Sequence, residues 1–180
     1  MHGDCAKGMG WPNEDDNMLR FDILTNIFEQ YLSDERKLKI LDFACGTSAY
    51  FEYLQKRNLT NNISYTGIDI VDKFVSTSQE KFPGNRYLCA DILASDWIEF
   101  NEEFDFIIVN GLFTQKLGMK DLEMYNFWKK TILKLNTMTR SGLAFNTMSQ
   151  FCDYKLDQAL QPGESIDIEI QTQYITQGFQ

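Results

Sequence analysis

Apolar residues recur along the chain with two spacings, and segments of one spacing alternate with segments of the other. Between Met18 and Tyr31 they are three or four positions apart, which predicts an amphipathic helix. Further along, short apolar runs typical of strands alternate with segments of helical spacing. The predicted strands are Leu38–Phe43, Ile63–Ile70, Arg86–Ala90, Phe104–Asn110 and Gly142–Asn146. The predicted helices are Ala49–Lys56, Asp72–Lys81 and Leu122–Leu135, with a short helix or turn at Ile92–Glu99.

Strands that alternate with helices in this way are typical of βαβ units, in which a mostly parallel sheet carries helices on both faces. The run Phe104–Asn110 is strongly apolar, as expected of a strand buried on both sides. No linker divides the 180 residues. We therefore expect one Rossmann-like α/β domain over 1–180, with an N-terminal helical region (1–33), a core (38–146) and a C-terminal part (147–180).

Composition and charge narrow the classes of partner. Lys and Arg number 17 and Asp and Glu 26, which leaves a net charge of −9. An acidic surface repels phosphate backbones, so nucleic acid and anionic membranes are not expected as partners. No apolar run is long enough to span a bilayer, and we expect a cytoplasmic protein.

The cysteine and histidine residues argue against metal and disulfide chemistry. The four cysteines, Cys5, Cys45, Cys89 and Cys152, are far apart and form no paired motif. The only histidine, His2, stands at the N-terminus, which argues against a histidine-based triad. We expect no metal site.

Chemistry-bearing residues cluster where the predicted strands end. Ligands of open parallel sheets bind beyond the carboxyl ends of the strands. Four such ends carry small or polar residues: Asp42–Ser48, Gly67–Ile70, Cys89–Leu93 and Phe104–Gly111. The first is a small-residue turn before a helix, where a ligand can approach the backbone and an anion is favoured by the helix N-terminus.

These four segments, in this order and at these spacings, resemble the class I S-adenosylmethionine-dependent methyltransferases over about residues 38–146. In the first motif of that family, an acid is followed by three small residues at alternate positions. Asp42 matches the acid and Gly46 the central glycine, whereas Ala44 and Ser48 stand where glycine is more usual. Ser48 would suit this position as a helix N-cap, and a positive φ at Ala44 or Ser48 would strain the turn.

The resemblance implies S-adenosylmethionine as cofactor and a role for each strand end. Asp69 would accept hydrogen bonds from both ribose hydroxyls, and Asp91 one from the adenine amino group. Ile70 and Ile92 would provide apolar walls for the ring, and Asn110 would line the cleft where methyl donor and acceptor meet. The alternative for the two acids is a helix N-cap or a solvated loop position, and for Asn110 a simple turn.

The N-terminal region carries a second resemblance. His2–Gly3, Gly8–Trp11 and Leu19–Phe21 resemble the lead-in of small stand-alone bacterial methyltransferases, in which an N-terminal helix covers the cofactor. Arg20 would then pair with the methionyl carboxylate, the alternative being an exposed arginine on an amphipathic helix. The resemblance implies a small-molecule acceptor such as a sugar or surface-polysaccharide precursor. The catalytic residue stays unknown.

Two other functions stay open from the sequence. One is a catalytically weak relative that serves as a binding or partner subunit. The other is a nicotinamide-dependent oxidoreductase, since an acid after the second strand suits both cofactors. Tyr125 and Lys129 have the spacing of an oxidoreductase pair, but they fall on a predicted helix without a supporting serine.

The C-terminal part predicts a shortened sheet. The sheets of class I methyltransferases usually add two strands after the fifth, but only Ser165–Ile175 shows strand alternation here. An open edge at the fifth strand would favour a homodimer or a partner chain.

Overall fold

The computed structural model describes residues 14–33, 35–94, 103–115 and 118–147. These residues form four α-helices and five strands, with a short 3-10 turn at Thr60–Asn62. The helices are α1 (Glu14–Glu29), α2 (Ala49–Lys56), α3 (Asp72–Lys81) and α4 (Asp121–Asn136). The strands are β1 (Leu38–Phe43), β2 (Ile63–Asp69), β3 (Arg86–Cys89), β4 (Phe104–Phe113) and β5 (Thr139–Thr147).

Within the described residues, the predicted strands and the helices that flank them are confirmed in type and order. The bounds of β1, α2 and α3 match the prediction, whereas α1 begins four residues earlier, at Glu14. The prediction for β4 was wrong at its end, because the strand continues past Asn110 to Phe113. Of the helix or turn predicted at Ile92–Glu99, the structure describes a turn through Ala94. The predicted strand Ser165–Ile175, and with it the shortened sheet, lies outside the described residues.

The five strands form one parallel sheet in the order β3-β2-β1-β4-β5. The chain builds outward from β1 to β3 and then crosses back to place β4 on the other side of β1. In the register, Phe43 pairs with Ile68 on one side and Val109 on the other, so β1 and β2 end beside Val109, whereas β4 continues to Phe113. The reversal of strand order lies between β1 and β4, where open α/β sheets bind their ligands.

Helices cover both faces of this sheet, as predicted. Successive residues of β1 point to opposite sides, so Ile40 belongs to one apolar cluster and Leu41 to the other. The first cluster contains the apolar faces of α1 and α2, and the second contains that of α4. The sheet is therefore the central layer of a three-layer domain.

Helix α1 is tied to α2 by polar contacts as well as by packing. Thr25 Oγ1 and the Tyr50 hydroxyl are 2.9 Å apart in the buried layer. At the surface Arg57 donates to Asp22 and to Glu29, both at 2.7 Å, and Asp22 also accepts from the Tyr53 hydroxyl. These bonds fix where α1 crosses the first face of the sheet.

Within the described residues, no helix is both long and apolar enough to cross a membrane.

Candidate functional site

The turn between β1 and α2 has an unusual backbone. Ala44, Gly46 and Ser48 all have positive φ values, of 59°, 55° and 64°. Left-handed residues at alternate positions are typical of a backbone nest, a concavity whose N–H groups favour an anion. For Ala44 and Ser48 this conformation costs about 1–2 kcal/mol each, because the Cβ atom crowds the carbonyl oxygen.

Contacts from β2 and α3 hold this turn in place. The Gly46 N–H donates to Asp69 Oδ2 at 2.8 Å, and the Cys45 N–H donates to the Ile68 carbonyl at 3.0 Å. From α3, Ser78 Oγ donates to the Gly46 carbonyl at 3.1 Å and Lys81 Nζ to the Thr47 carbonyl at 3.2 Å. The two backbone carbonyls are thereby turned toward α3.

The prediction that Ser48 is a capping residue was wrong. Ser48 does occupy the position before α2, but its φ of 64° and ψ of 36° are left-handed and its side chain makes no capping hydrogen bond. A capping serine needs an extended backbone to bring its oxygen to the N–H groups of the first turn. The positive φ that was considered as a source of strain is present at both Ala44 and Ser48.

Asp42 lies behind the turn, in the core. It is 2% exposed, and its Oδ2 accepts a hydrogen bond from the Tyr65 hydroxyl at 2.5 Å. Burial raises the pKa of Asp42 to about 7; the Tyr65 bond opposes this rise and the nearby Asp69 charge adds to it. The acid of the first motif is thus part of a buried hydrogen-bonded pair that joins β1 to β2.

Asp69 joins the ends of β1 and β2. One carboxylate oxygen accepts the Gly46 N–H and the other accepts the Val71 N–H at 2.9 Å. The side chain is 7% exposed. Because each carboxylate oxygen has two lone pairs, each retains acceptor capacity beyond these bonds.

The residues predicted beside the adenine ring are divided between surface and core. Ile70 is 67% exposed, whereas Ile92 is 3% exposed and packs in the cluster that contains Ile68. Asp91 is exposed, and its Oδ1 accepts the Leu93 N–H at 2.9 Å in a local turn. Of the two predicted walls, Ile70 is the one that offers open apolar surface.

Strand β4 bulges beside Asn110. Val109 pairs with Phe145 and Phe113 with Thr147, so four steps along β4 match two along β5. Within this bulge Gly111 has a φ of 86°. Bulges of this kind re-aim side chains and are common next to functional sites. The simple turn considered for Asn110 is thus a bulge inside a continuing strand.

Asn110 is linked to two residues that were not among the predicted site residues. Its Nδ2 donates to Asn17 Oδ1 at 3.4 Å, and its Oδ1 accepts from Asn146 Nδ2 at 3.1 Å. Arg20 follows Asn17 by one turn on α1 and is partly buried. The only available clue was that Asn146 ends a predicted strand, as Asn110 does.

The structure brings together most of the predicted site residues. Asp42, Ala44, Gly46, Ser48 and Asp69 form one connected group at the ends of β1 and β2. Asn110 lies at the neighbouring end of β4, and Ile70 and Asp91 lie toward β3. Ile92 packs in the core instead, and Arg20 lies on α1, where it is partly buried. No group of three or more His, Cys, Asp or Glu side chains in the described part of the chain could hold a metal ion.

A parallel sheet with a nest-like turn at its switch point defines a Rossmann-like ligand-binding domain. Residues 40–130 match the family described as the methyltransferase domain. The chain therefore belongs to this methyltransferase family, which confirms the predicted resemblance and favours it over the oxidoreductase interpretation.

Individual relatives agree with this assignment. A candidate methyltransferase of Mycobacterium tuberculosis is 30% identical over 114 residues, which cover 63% of this chain and 65% of that protein. The chain thus spans less than two thirds of the length of this curated relative.

Two solved structures share the fold. The N-methyltransferase NodS from Bradyrhizobium japonicum is 17% identical with a TM-score of 0.54, over 74% of this chain and 68% of that one. An amino pentose methyltransferase of calicheamicin biosynthesis from Micromonospora echinaspora is 18% identical with a TM-score of 0.52. That match covers 78% of this chain and 53% of the other.

Proposed function

We propose that this chain binds S-adenosylmethionine at the carboxyl edge of its sheet and transfers the methyl group to a small-molecule acceptor. The observation that carries the proposal is the β1–α2 turn. It has three left-handed residues, and the Gly46 N–H anchors it to Asp69. A strained backbone of this kind persists only when its surroundings over-determine it, and it is typical of binding sites. The turn belongs to a chain of the methyltransferase family.

The residues present fit such a cofactor. The Cys45, Gly46 and Ser48 N–H groups are already bound within the protein, so what the turn offers the cofactor is the start of α2. The positive end of that helix favours the anionic methionyl end. Asp69 keeps acceptor capacity for the ribose hydroxyls. Ile70, 67% exposed, offers an apolar surface to the adenine ring, and Asp91 an exposed carboxylate to its amino group.

The cofactor supplies an electrophilic methyl group on a sulfonium. This chain contributes the positions of the binding groups, because the turn, Asp69 and the β4 bulge are held next to each other on three adjoining strands. Holding two reactants in line supplies much of the acceleration of such a displacement.

Calorimetric titration with S-adenosylhomocysteine tests the binding step. Binding is expected, together with a higher melting temperature, because a ligand of the native state stabilises it. Mass spectrometry of the freshly purified protein gives a second readout, the retained cofactor. A protein that neither binds the compound nor retains it would contradict the proposal.

The acceptor that we propose is a sugar or a surface-polysaccharide precursor. Its support is the resemblance of the N-terminal region to small stand-alone bacterial enzymes, and the net charge of −9, which disfavours polyanions. Incubation with methyl-labelled S-adenosylmethionine and separate pools of sugars, peptides and RNA would show which pool takes up label. Label in peptides or RNA alone would contradict this choice.

A further inference from the structure

Three asparagine side chains form a hydrogen-bonded chain from β5 through β4 to α1. The Gly111 N–H donates to Asn146 Oδ1 at 2.7 Å. Asn146 Nδ2 donates to Asn110 Oδ1 at 3.1 Å, and Asn110 Nδ2 donates to Asn17 Oδ1 at 3.4 Å. These hydrogen bonds thus connect the bulge of β4 to α1, the helix that crosses the first face of the sheet.

The direction of this chain is set at its backbone end. A backbone N–H can only donate, so the oxygen of Asn146 must face Gly111 and its NH₂ group must face Asn110. The oxygen of Asn110 is then committed to Asn146, and its N–H donors face α1. One interaction with the backbone therefore decides the orientation of two side-chain amides in succession.

The last bond of the chain is the one that a ligand can replace. At 3.4 Å it is longer than the other two and lies beyond the usual range of an N–H···O bond. A carboxylate is a stronger acceptor than an amide oxygen, so it would compete well for the same N–H. Arg20, one turn along α1 from Asn17, adds a positive charge nearby.

We propose that Asn146 is a positioning residue that keeps the N–H donors of Asn110 turned toward α1, where they bind a carboxylate of the ligand. This carboxylate is the methionyl one of S-adenosylmethionine, so the inference rests on the proposed function. The bulge at Gly111 is needed because it presents the backbone N–H that starts the chain.

Asn146→Asp tests the orientation with a minimal change in shape. The new carboxylate still accepts from Gly111, but its second oxygen replaces the donor that faced Asn110. Asn110 must then turn over, and its oxygen instead of its N–H groups faces the ligand. The affinity for S-adenosylhomocysteine should fall about tenfold or more, as expected when a bond to a charged group is lost.

5′-Methylthioadenosine is the matched probe, because it has the same nucleoside and thioether but no carboxylate. Its affinity should be the same in the wild type and in Asn146→Asp. The neutral variant Asn146→Leu separates the effect of the Asn110 orientation from the effect of an added charge. It should lower the affinity for S-adenosylhomocysteine less than Asn146→Asp does. Asn126→Asp, on the exposed surface of α4, is the control for one added charge.

Side-chain amide spectra of ¹⁵N-asparagine-labelled protein report the orientation directly. In Asn146→Asp the Asn110 amide protons should move downfield, since they now donate to a carboxylate. Equal weakening of both ligands, unchanged affinity for S-adenosylhomocysteine, or an unshifted Asn110 signal would overturn the inference. If the wild type binds neither ligand, the proposed function and the carboxylate assignment fall together, and the spectra still decide the orientation.

Discussion

Two turns at the same edge of the sheet are built in opposite ways. The turn at 44–48 is held by bonds from β2 and α3, and its acids, Asp42 and Asp69, are buried. The turn after β3 has one backbone bond to β2, from Ala90, and is otherwise closed by its own residue Asp91. In the first turn Asp69 accepts two backbone N–H groups, whereas in the second the acid is exposed to solvent.

This difference distinguishes two roles that an acid at the end of a strand can have. A buried acid that accepts backbone N–H groups contributes to folding, so its replacement should affect stability and binding together. An exposed acid that closes a local turn costs little to replace, so any change in binding reports a direct contact with the ligand.

Asp69→Ala should have the largest effect on folding and binding together, because it leaves the N–H groups of Gly46 and Val71 without their acceptor. Bonds to a charged group are each worth about 1.5–3 kcal/mol, so we expect a loss of roughly 3 kcal/mol in the free energy of unfolding. Binding of S-adenosylhomocysteine should be lost with it. Urea denaturation and calorimetry measure the two effects.

Asp69→Asn is the matched comparison, since its one oxygen can serve only one of the two N–H groups. It should fall between the wild type and Asp69→Ala in stability. A stability equal to that of the wild type in both variants would show that the turn does not depend on Asp69.

Asp42→Asn should change how stability depends on pH. The pKa of Asp42 is about 7 in the folded chain against an ordinary value of 3.8, with burial as the main cause. As the pH rises from about 4, the unfolded chain loses this proton first, so the stability contributed by protonated Asp42 declines until the pH passes about 7.

The variant lacks this decline, so its free energy of unfolding should gain roughly 3–4 kcal/mol relative to the wild type between pH 4 and pH 7.5. Denaturation at several pH values measures the gain, with Asp72→Asn, an exposed acid of α3, as the control. Parallel pH profiles for wild type and Asp42→Asn would contradict the assignment.

The same contrast explains what could be predicted from the sequence. The bounds of β1, α2 and α3 followed from local periodicity, because each element has a clear apolar face and a polar boundary. The left-handed state of Ser48 could not be predicted, since contacts with β2 and α3 impose it. Asn17 was missed because the predicted helix began at Met18, and its hydrogen-bond partner Asn110 is distant in sequence.

Ala44→Gly should stabilise the fold, by about 1 kcal/mol at most. Glycine adopts a φ of 59° without steric cost, although it loses more conformational entropy on folding than alanine does. Ala49→Gly, at the start of α2, is the same chemical change in a helical position and should destabilise instead. If both variants moved the urea midpoint in the same direction, strain at Ala44 would be refuted.

Asp91→Ala should have the smallest effect on stability, below about 0.5 kcal/mol, because the side chain is exposed and serves one local N–H. Its effect on binding depends on which ligand is used. S-Adenosylhomocysteine has an adenine amino group that can donate to Asp91, whereas S-inosylhomocysteine has an oxygen at that position. Loss of the bond should lower the affinity for S-adenosylhomocysteine by about fivefold to tenfold. The affinity for S-inosylhomocysteine should stay the same or rise slightly.

Glu80→Ala, another exposed acid, controls for the change in net charge and should alter neither affinity. An equal response of the two nucleosides to Asp91→Ala would mean that Asp91 does not read the adenine amino group. The turn after β3 would then resemble the turn at 44–48, with an acid that acts on the backbone and not on the ligand. A loss of affinity for S-adenosylhomocysteine alone would instead establish that the two turns have different roles. The turn at 44–48 would fix the backbone, and the turn after β3 would recognise the base.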